Sequence, residues 1–156
     1  MKIAIISDTH KDYSSIDKAV PILKKCDLIL FAGDNFSDSR YIHEKTGIDI
    51  IAVKGNCDFC DVEEEIIFDI NEKKVFLCHG DKYNVKDSLD KISKKAKDIE
   101  ADIVIFGHTH IPLEIKKEGI LYLNPGSLSR PRKNDKKTFL LVDIDDDVKT
   151  NLVNIN

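Results

Sequence analysis

One arrangement restricts how this chain can fold more than any other: a short apolar run, followed at once by a turn carrying aspartate, asparagine or histidine. Ile3 to Ile6 leads to Asp8 and His10 in Ser-Asp-Thr-His, Leu28 to Phe31 leads to Asp34 in Ala-Gly-Asp-Asn, and Ile50 to Val53 leads to Asn56 in Lys-Gly-Asn-Cys-Asp. Val75 to Leu77 leads to His79 in Cys-His-Gly-Asp, and Ile103 to Phe106 leads to His108 and His110 in Phe-Gly-His-Thr-His. The runs are brief, continuous and β-branched, as expected of strands buried on both faces of a sheet. Open α/β sheets bind ligands outside the carboxyl ends of their strands, so donors distant in sequence are expected to meet at one sheet edge.

The segments between these runs read as crossovers and hairpins. Ser14 or Ser15 is placed to cap a helix through Ile16, Ala19, Val20 and Leu23, and Ser37 to Thr46 is a second helical stretch that stops before Gly47. Ile66 to Ile70 and Val75 to Cys78 flank the polar turn Asn71 to Lys74 and predict a hairpin. Val85, Leu89, Ile92, Ala96 and Ile99 keep alternating spacings of four and three, so a longer amphipathic helix is expected there. Beyond Phe106 the chain turns to hairpins: Leu113 to Lys117 with Ile120 to Leu123, then Thr138 to Ile144 with Val148 to Val153. The acidic turn Asp145 to Asp147 lacks the spaced oxygen ligands and distal glutamate of a calcium loop and reads as solvated.

Composition narrows the class. With 156 residues, 42% of them hydrophobic, one domain spanning 1–156 can bury its own core, and two could not. A net charge of -4 is a poor match for a sequence-blind grip on nucleic-acid backbone, so nucleic acid is not the expected partner. The N-terminal run has no basic flank or small-residue cleavage site, and no apolar run approaches the roughly 20 residues that span a bilayer. A cytoplasmic protein without membrane attachment is the expectation. Cys26, Cys57, Cys60 and Cys78 are expected as reduced thiols, because a chain with its own core needs no disulfide framework. The Cys57-x-x-Cys60 pair lacks the second pair of a zinc knuckle.

Seven oxygen and nitrogen donors are too many for one ion of ordinary coordination and suit two, with a lone carboxylate such as Asp34 able to bridge. Such a mixed set suits Mn, Ni, Fe, Co or Zn. Gly33, Gly55, Gly80 and Gly107 each flank a donor where the chain must turn and approach closely. Of the five histidines only His43 lies outside these strand ends.

In order, the blocks Asp-x-His, Gly-Asp, Gly-Asn-Cys-Asp, His-Gly and Gly-His-Thr-His resemble those of the calcineurin-like metallophosphoesterase superfamily, in particular its small bacterial and archaeal phosphodiesterases, from Met1 to about Arg132. The resemblance implies an α/β fold, a four-layer α-β-β-α sandwich of two mixed β-sheets flanked by helices. It also implies a metal-dependent phosphodiesterase that hydrolyses a small phosphodiester with a hydroxide bridging two divalent metal ions. By the same resemblance Asp8, His10, Asp34 and His110 would hold one ion and Asp34, Asn56, His79 and His108 the other, roughly 3.5–4 Å away.

One position departs from the pattern. Many relatives carry histidine directly after the metal-binding asparagine, where this chain has Cys57. A thiol with an ordinary pKa near 8.5 is a weak proton donor, which points to esters whose leaving group needs little protonation. Asp58, which would orient that histidine, is left without an evident role. Past the last block, the loop Asn124-Pro125-Gly126-Ser127 with Arg130 is placed by the resemblance at the site mouth, so Cys57, Ser127 and Arg130 are the expected substrate contacts. Two alternatives share the fold: a non-catalytic interaction scaffold like a retromer coat subunit, and a nuclease, whose usual histidine and capping domain this chain lacks. A homo-oligomer is compatible with all three.

Overall fold

Strand β1 (Lys2–Ile6) is buried along nearly its whole length, and its alternate side chains go two ways. Ile3 and Ile5 enter a cluster with residues of a second sheet, whereas Ala4 and Ile6 enter a cluster with helices. That alternation sets the layers of the computed structural model, which describes residues 1–133 and 136–155.

The first sheet has five strands, ordered β10 (Val148–Asn154), β9 (Thr138–Ile144), β1, β2 (Leu28–Phe31) and β3 (Ile50–Ala52). The second has β4 (Glu65–Ile70), β5 (Lys73–Cys78), β6 (Ile103–Ile105), β8 (Ile120–Pro125) and β7 (Pro112–Lys117). Both are mixed. Strands β1, β2 and β3 run parallel, as do β5, β6 and β8; β9 is antiparallel to its neighbours β1 and β10, and β4 and β7 are antiparallel to β5 and β8.

Between the sheets, Ile3, Ile5 and Leu30 meet Val75, Leu77, Ile103, Ile105 and Leu123. Each such side chain contributes on the order of 2 kcal/mol by leaving water. Helices α1 (Tyr13–Leu23) and α2 (Ser37–Thr46) cover the outer face of the first sheet through Ile16, Ala19, Leu23 and Ile42. Helix α3 (Asp90–Asp98) covers the second through Ile92 and Ala96, against Phe76, Val104 and Tyr122. The result is the expected four-layer α-β-β-α sandwich.

Three local expectations are corrected. Asp12, not Ser14 or Ser15, caps α1: its carboxylate accepts from the Ser15 amide at 3.1 Å and the Ser15 hydroxyl at 2.7 Å. An aspartate one turn earlier takes the free amides first. The helix expected from Val85 begins only at Asp90, because Asn84 has a positive φ of 52° and its side-chain amide donates to Asp87, forming a turn instead. Val85 and Leu89 still join the same apolar cluster, so the stripe was real although its first turn is not helical. The β4–β5 turn is tighter than expected, with only Asn71 and Glu72 between the strands, both at positive φ. Among the described residues no helix is long and apolar enough to cross a membrane.

Candidate metal centre

Parallel strands deliver their carboxyl ends to one edge, and the donors sit there. Asp8 and His10 follow β1, Asp34 follows β2, Asn56 follows β3, His79 follows β5, and His108 and His110 follow β6. Asp8, His10, Asp34 and His110 each offer a ligand atom, and these four atoms lie within 4.8 Å of one another. Asp8, Asp34 and His110 are only 0%, 3% and 8% exposed. His79 Nε2 lies 3.4 Å from Asp34 Oδ1, and His108 Nδ1 lies 3.2 Å from His79 Nε2. Asn56 is exposed; it borders the same cavity as Asp34 and His108, and its amide donates to Cys57 Sγ at 3.7 Å.

The loops that bring these groups together are strained. Asp8, His10, Asp34, His108 and His110 all have φ between 42° and 66°, in the left-handed region. Each such residue costs on the order of 1 kcal/mol, so the surroundings must enforce the conformation. They do so with hydrogen bonds. The Asp8 amide donates to Gly33 O at 3.0 Å, the Ser7 hydroxyl donates to Asp8 Oδ2 at 2.7 Å, and the His108 amide donates to the same oxygen at 3.1 Å. Two glycines matter by their lack of a side chain: a Cβ on Gly55 would collide with the Asp34 carboxylate, and one on Gly107 with Ser7 and the Asp8 carboxylate.

Ring orientation is set from behind. His79 Nδ1 lies 2.7 Å from Ala32 O, and His110 Nδ1 lies 2.7 Å from Arg130 O. A carbonyl only accepts, so each Nδ1 carries hydrogen and each Nε2 faces the centre, the orientation usual for metal-binding histidines. Burial alone would lower the pKa of His79, but the hydrogen bond to Asp34 and the charges of Asp8 and Asp34 overcome it and raise it to about 8. At His110 burial likewise lowers the pKa, but the hydrogen bond and charge of Asp8 outweigh it and raise it. Despite its burial, the Asp34 carboxyl is held well below the usual range by His79 and the Cys57 amide. His108 is shifted down by burial and by His79 and Lys86.

Without metal, then, protons on histidine neutralise the carboxylates. Among the described residues Asp8 Oδ1 and His10 Nε2 are buried and make no hydrogen bond, only ion-pair contacts: Asp8 Oδ1 with His110 Nε2 at 3.1 Å and His79 Nε2 at 3.9 Å, His10 Nε2 with Asp34 Oδ2 at 3.8 Å. A cation would satisfy both, so the residues present fit a divalent ion at this quartet.

The cavity over the centre measures about 360 Å3 and is lined, beside the candidate donors, by Cys57, Lys86, Arg130, Pro131 and Arg132. Lys86, Arg130 and Arg132 form no ion pair among the described residues. The expected Arg130 is therefore at the mouth. Ser127 is not: it is fully buried, and its hydroxyl donates to Asp8 O at 2.7 Å while accepting the amide of Arg130 at 2.8 Å. The hydroxyl thereby ties two loops together. Desolvation and the adjacent Asp34 carboxylate raise the Cys57 thiol, keeping it neutral at pH 7.

Sequence reasoning left several residues aside. Asp58 accepts the Phe36 amide at 2.8 Å and the Gly55 amide at 2.8 Å, joining the loops that carry Asp34 and Asn56. Buried Asp38 accepts the Thr9 hydroxyl at 2.5 Å and the Lys11 amide at 2.9 Å, fixing the loop of His10. The Asp58 role had a visible cue in its closeness to Asn56. Lys86 and Arg132 had none, since each reads as one of 24 surface cations.

Comparison with known proteins gives a consistent result. Residues 1–147 match the family model of the calcineurin-like phosphoesterase superfamily domain. A probable metallophosphoesterase of Methanocaldococcus jannaschii is 32% identical over 99% of this chain and 82% of its own. A phosphodiesterase of the same organism is 32% identical over 81% of this chain and 83% of its own. Among solved structures, a conserved uncharacterized protein of Streptococcus pneumoniae, described as a predicted phosphoesterase, superposes with a TM-score of 0.84 at 30% identity, covering 98% of this chain and 88% of that one.

Proposed function

Since the chain belongs to the calcineurin-like phosphoesterase superfamily, we propose that it is a two-metal phosphodiesterase acting on a small phosphodiester. The observation that carries this reading is the gathering of four ligand atoms, from Asp8, His10, Asp34 and His110, within 4.8 Å of one another, beside three cations of the same cavity, Lys86, Arg130 and Arg132, that form no ion pair among the described residues. The first group calls for a metal ion, and the second calls for an anion.

Asp8, His10, Asp34 and His110 would hold one divalent ion; Asp34, Asn56, His79 and His108 would hold the second, with Asp34 shared. Mn, Ni, Fe, Co and Zn all suit these donors. Two bound ions would supply an acidified water as nucleophile and positive charge to offset that on the phosphate oxygens. The chain does the rest. Arg130, with Lys86 and Arg132 beside it, draws the phosphate into the cavity and turns it by charge-assisted hydrogen bonds. The carbonyls of Ala32 and Arg130 hold two rings so that Nε2 is free for metal.

Cys57 bears on the choice of ester. Its thiol, raised by desolvation and Asp34, is a poor acid for a departing alkoxide, so the reading favours diesters whose leaving group is already stable. The phosphodiesterase relative supports the same class. Purified protein loaded with Mn or Ni should hydrolyse an activated aryl phosphodiester, and chelation or His110→Ala should remove most turnover. A rate in chelated wild type or in the metal-loaded variant equal to that of metal-loaded wild type would refute the proposal. Full metal occupancy without turnover of any phosphate ester would favour the interaction scaffold instead.

A further inference from the structure

Beside the metal cavity lies a second one of about 420 Å3, whose walls are Val85, Leu89, Phe106, Ile111, Pro112 and Leu113. Lys86 and Arg132 border both cavities, so the two are neighbours that share a cationic rim. Val85 and Phe106 are buried, while Leu89, Ile111, Pro112 and Leu113 remain half-exposed. Four half-exposed apolar side chains around a concave space are left in contact with water, and an apolar guest would displace it favourably.

The polar groups of this cavity limit what the guest can be. Thr109 already accepts from the Asn124 amide at 3.1 Å and donates to Ile111 O at 3.3 Å. The Ser88 hydroxyl accepts the Asp90 amide at 3.3 Å, at the start of α3. Away from the cationic rim, then, the exposed Ser88 hydroxyl is the one side-chain donor left idle among the described residues, fewer than a sugar or peptide would require. The space suits a flat hydrocarbon surface, and the rim suits a negative charge attached to its edge.

We propose that this cavity is a subsite for an aromatic ring esterified to the phosphate that occupies the metal cavity. The substrate class is thereby narrowed to phosphodiesters carrying at least one aromatic ester group, with Lys86 and Arg132 contacting the phosphate at the junction. This rests on the metal-centre reading above, but its test does not depend on turnover.

Binding to the Mn-loaded full chain is measured by calorimetry for diphenyl phosphate and for dimethyl phosphate, which share one anionic head. The diphenyl ester should bind about tenfold more tightly, the gain expected from partial burial of one ring. Ser88→Trp, at an exposed position, fills the cavity without touching the core, and Ile111→Asn makes its wall polar. In either variant the ratio should fall to about twofold or less. Equal affinity for the two esters in wild type, or a tenfold ratio that survives both substitutions, would overturn the subsite. Methyl p-nitrophenyl phosphate, run in parallel, reads the hydrolase proposal separately. No turnover with the tenfold ratio intact removes the hydrolase and keeps the aromatic subsite; turnover with a ratio of one does the reverse.

Discussion

The two sides of the candidate centre are built differently. On one side Asp8, His10, Asp34 and His110 are packed under the sheet edge, three of them nearly inaccessible, with ligand atoms already within 4.8 Å. On the other, His79 is buried, His108 is half-exposed, and Asn56 stands in the open, its side-chain amide donating to the Cys57 sulfur. A site formed before the metal arrives spends little of the binding free energy on ordering its ligands, whereas an open site must recruit them. The closed side should therefore retain its ion when the open side has lost it.

The largest break in this comparison comes from the residue both sides share. Asp34→Ala should abolish metal retention on both sides and lower turnover by roughly 10³-fold or more, checked by elemental analysis and by hydrolysis of an activated diester. Asn56→Ala should touch the open side alone. Metal content should fall from two ions to one, with a loss in turnover of roughly 10²-fold. Retention of two ions by that variant would place the weak side elsewhere.

Gly107→Ala attacks the closed side without removing a ligand. The added methyl presses on Ser7 and the Asp8 carboxylate, so overpacking should cost up to about 3 kcal/mol of stability and weaken the tighter ion, visible together in thermal melts with and without metal. An unchanged melting temperature would mean that the loop gives way freely.

The smallest effect is one of pH. His79 is raised from 6.5 to about 8 by Asp34 and Asp8 against its burial, so the folded metal-free protein holds a proton that the unfolded chain releases earlier. That contribution, roughly 2 kcal/mol, is fully present below pH 6.5 and is lost as pH rises through 8. The metal-free melting temperature should fall across that window, while affinity for metal rises because ions and protons compete for the same nitrogen. A metal-free protein equally stable at pH 6.5 and 8.5 would contradict the proposed stand-in of protons for metal.

Much of this was legible in the chain. Short β-branched runs ended by Gly-Asp or Gly-His turns are local features, and strand position follows from them because period-two alternation and turn chemistry act over a few residues. Helix α2 and its end at Gly47, which takes φ 72°, were read correctly from the same kind of local rule. Local rules also account for the misses. Asp12 and Ser15 compete for the same cap, and the stripe from Val85 to Ile99 is equally well satisfied by a turn followed by a shorter helix.

By itself, then, the order of residues determined the strands and the placement of the seven candidate donors at their ends. Only the tertiary structure decided how they face. Five of them take left-handed φ values that no periodicity encodes, because that strain is affordable only where contacts such as those of Asp8 with Gly33 and Gly107 from other segments, and with the adjacent Ser7, hold it in place. The same holds for Ser127, turned inward to tie Asp8, for Asp58 joining two loops, and for the meeting of Lys86 and Arg132 across an apolar hollow. Each depends on contacts between segments far apart along the chain, and such contacts exist only after the two sheets have packed.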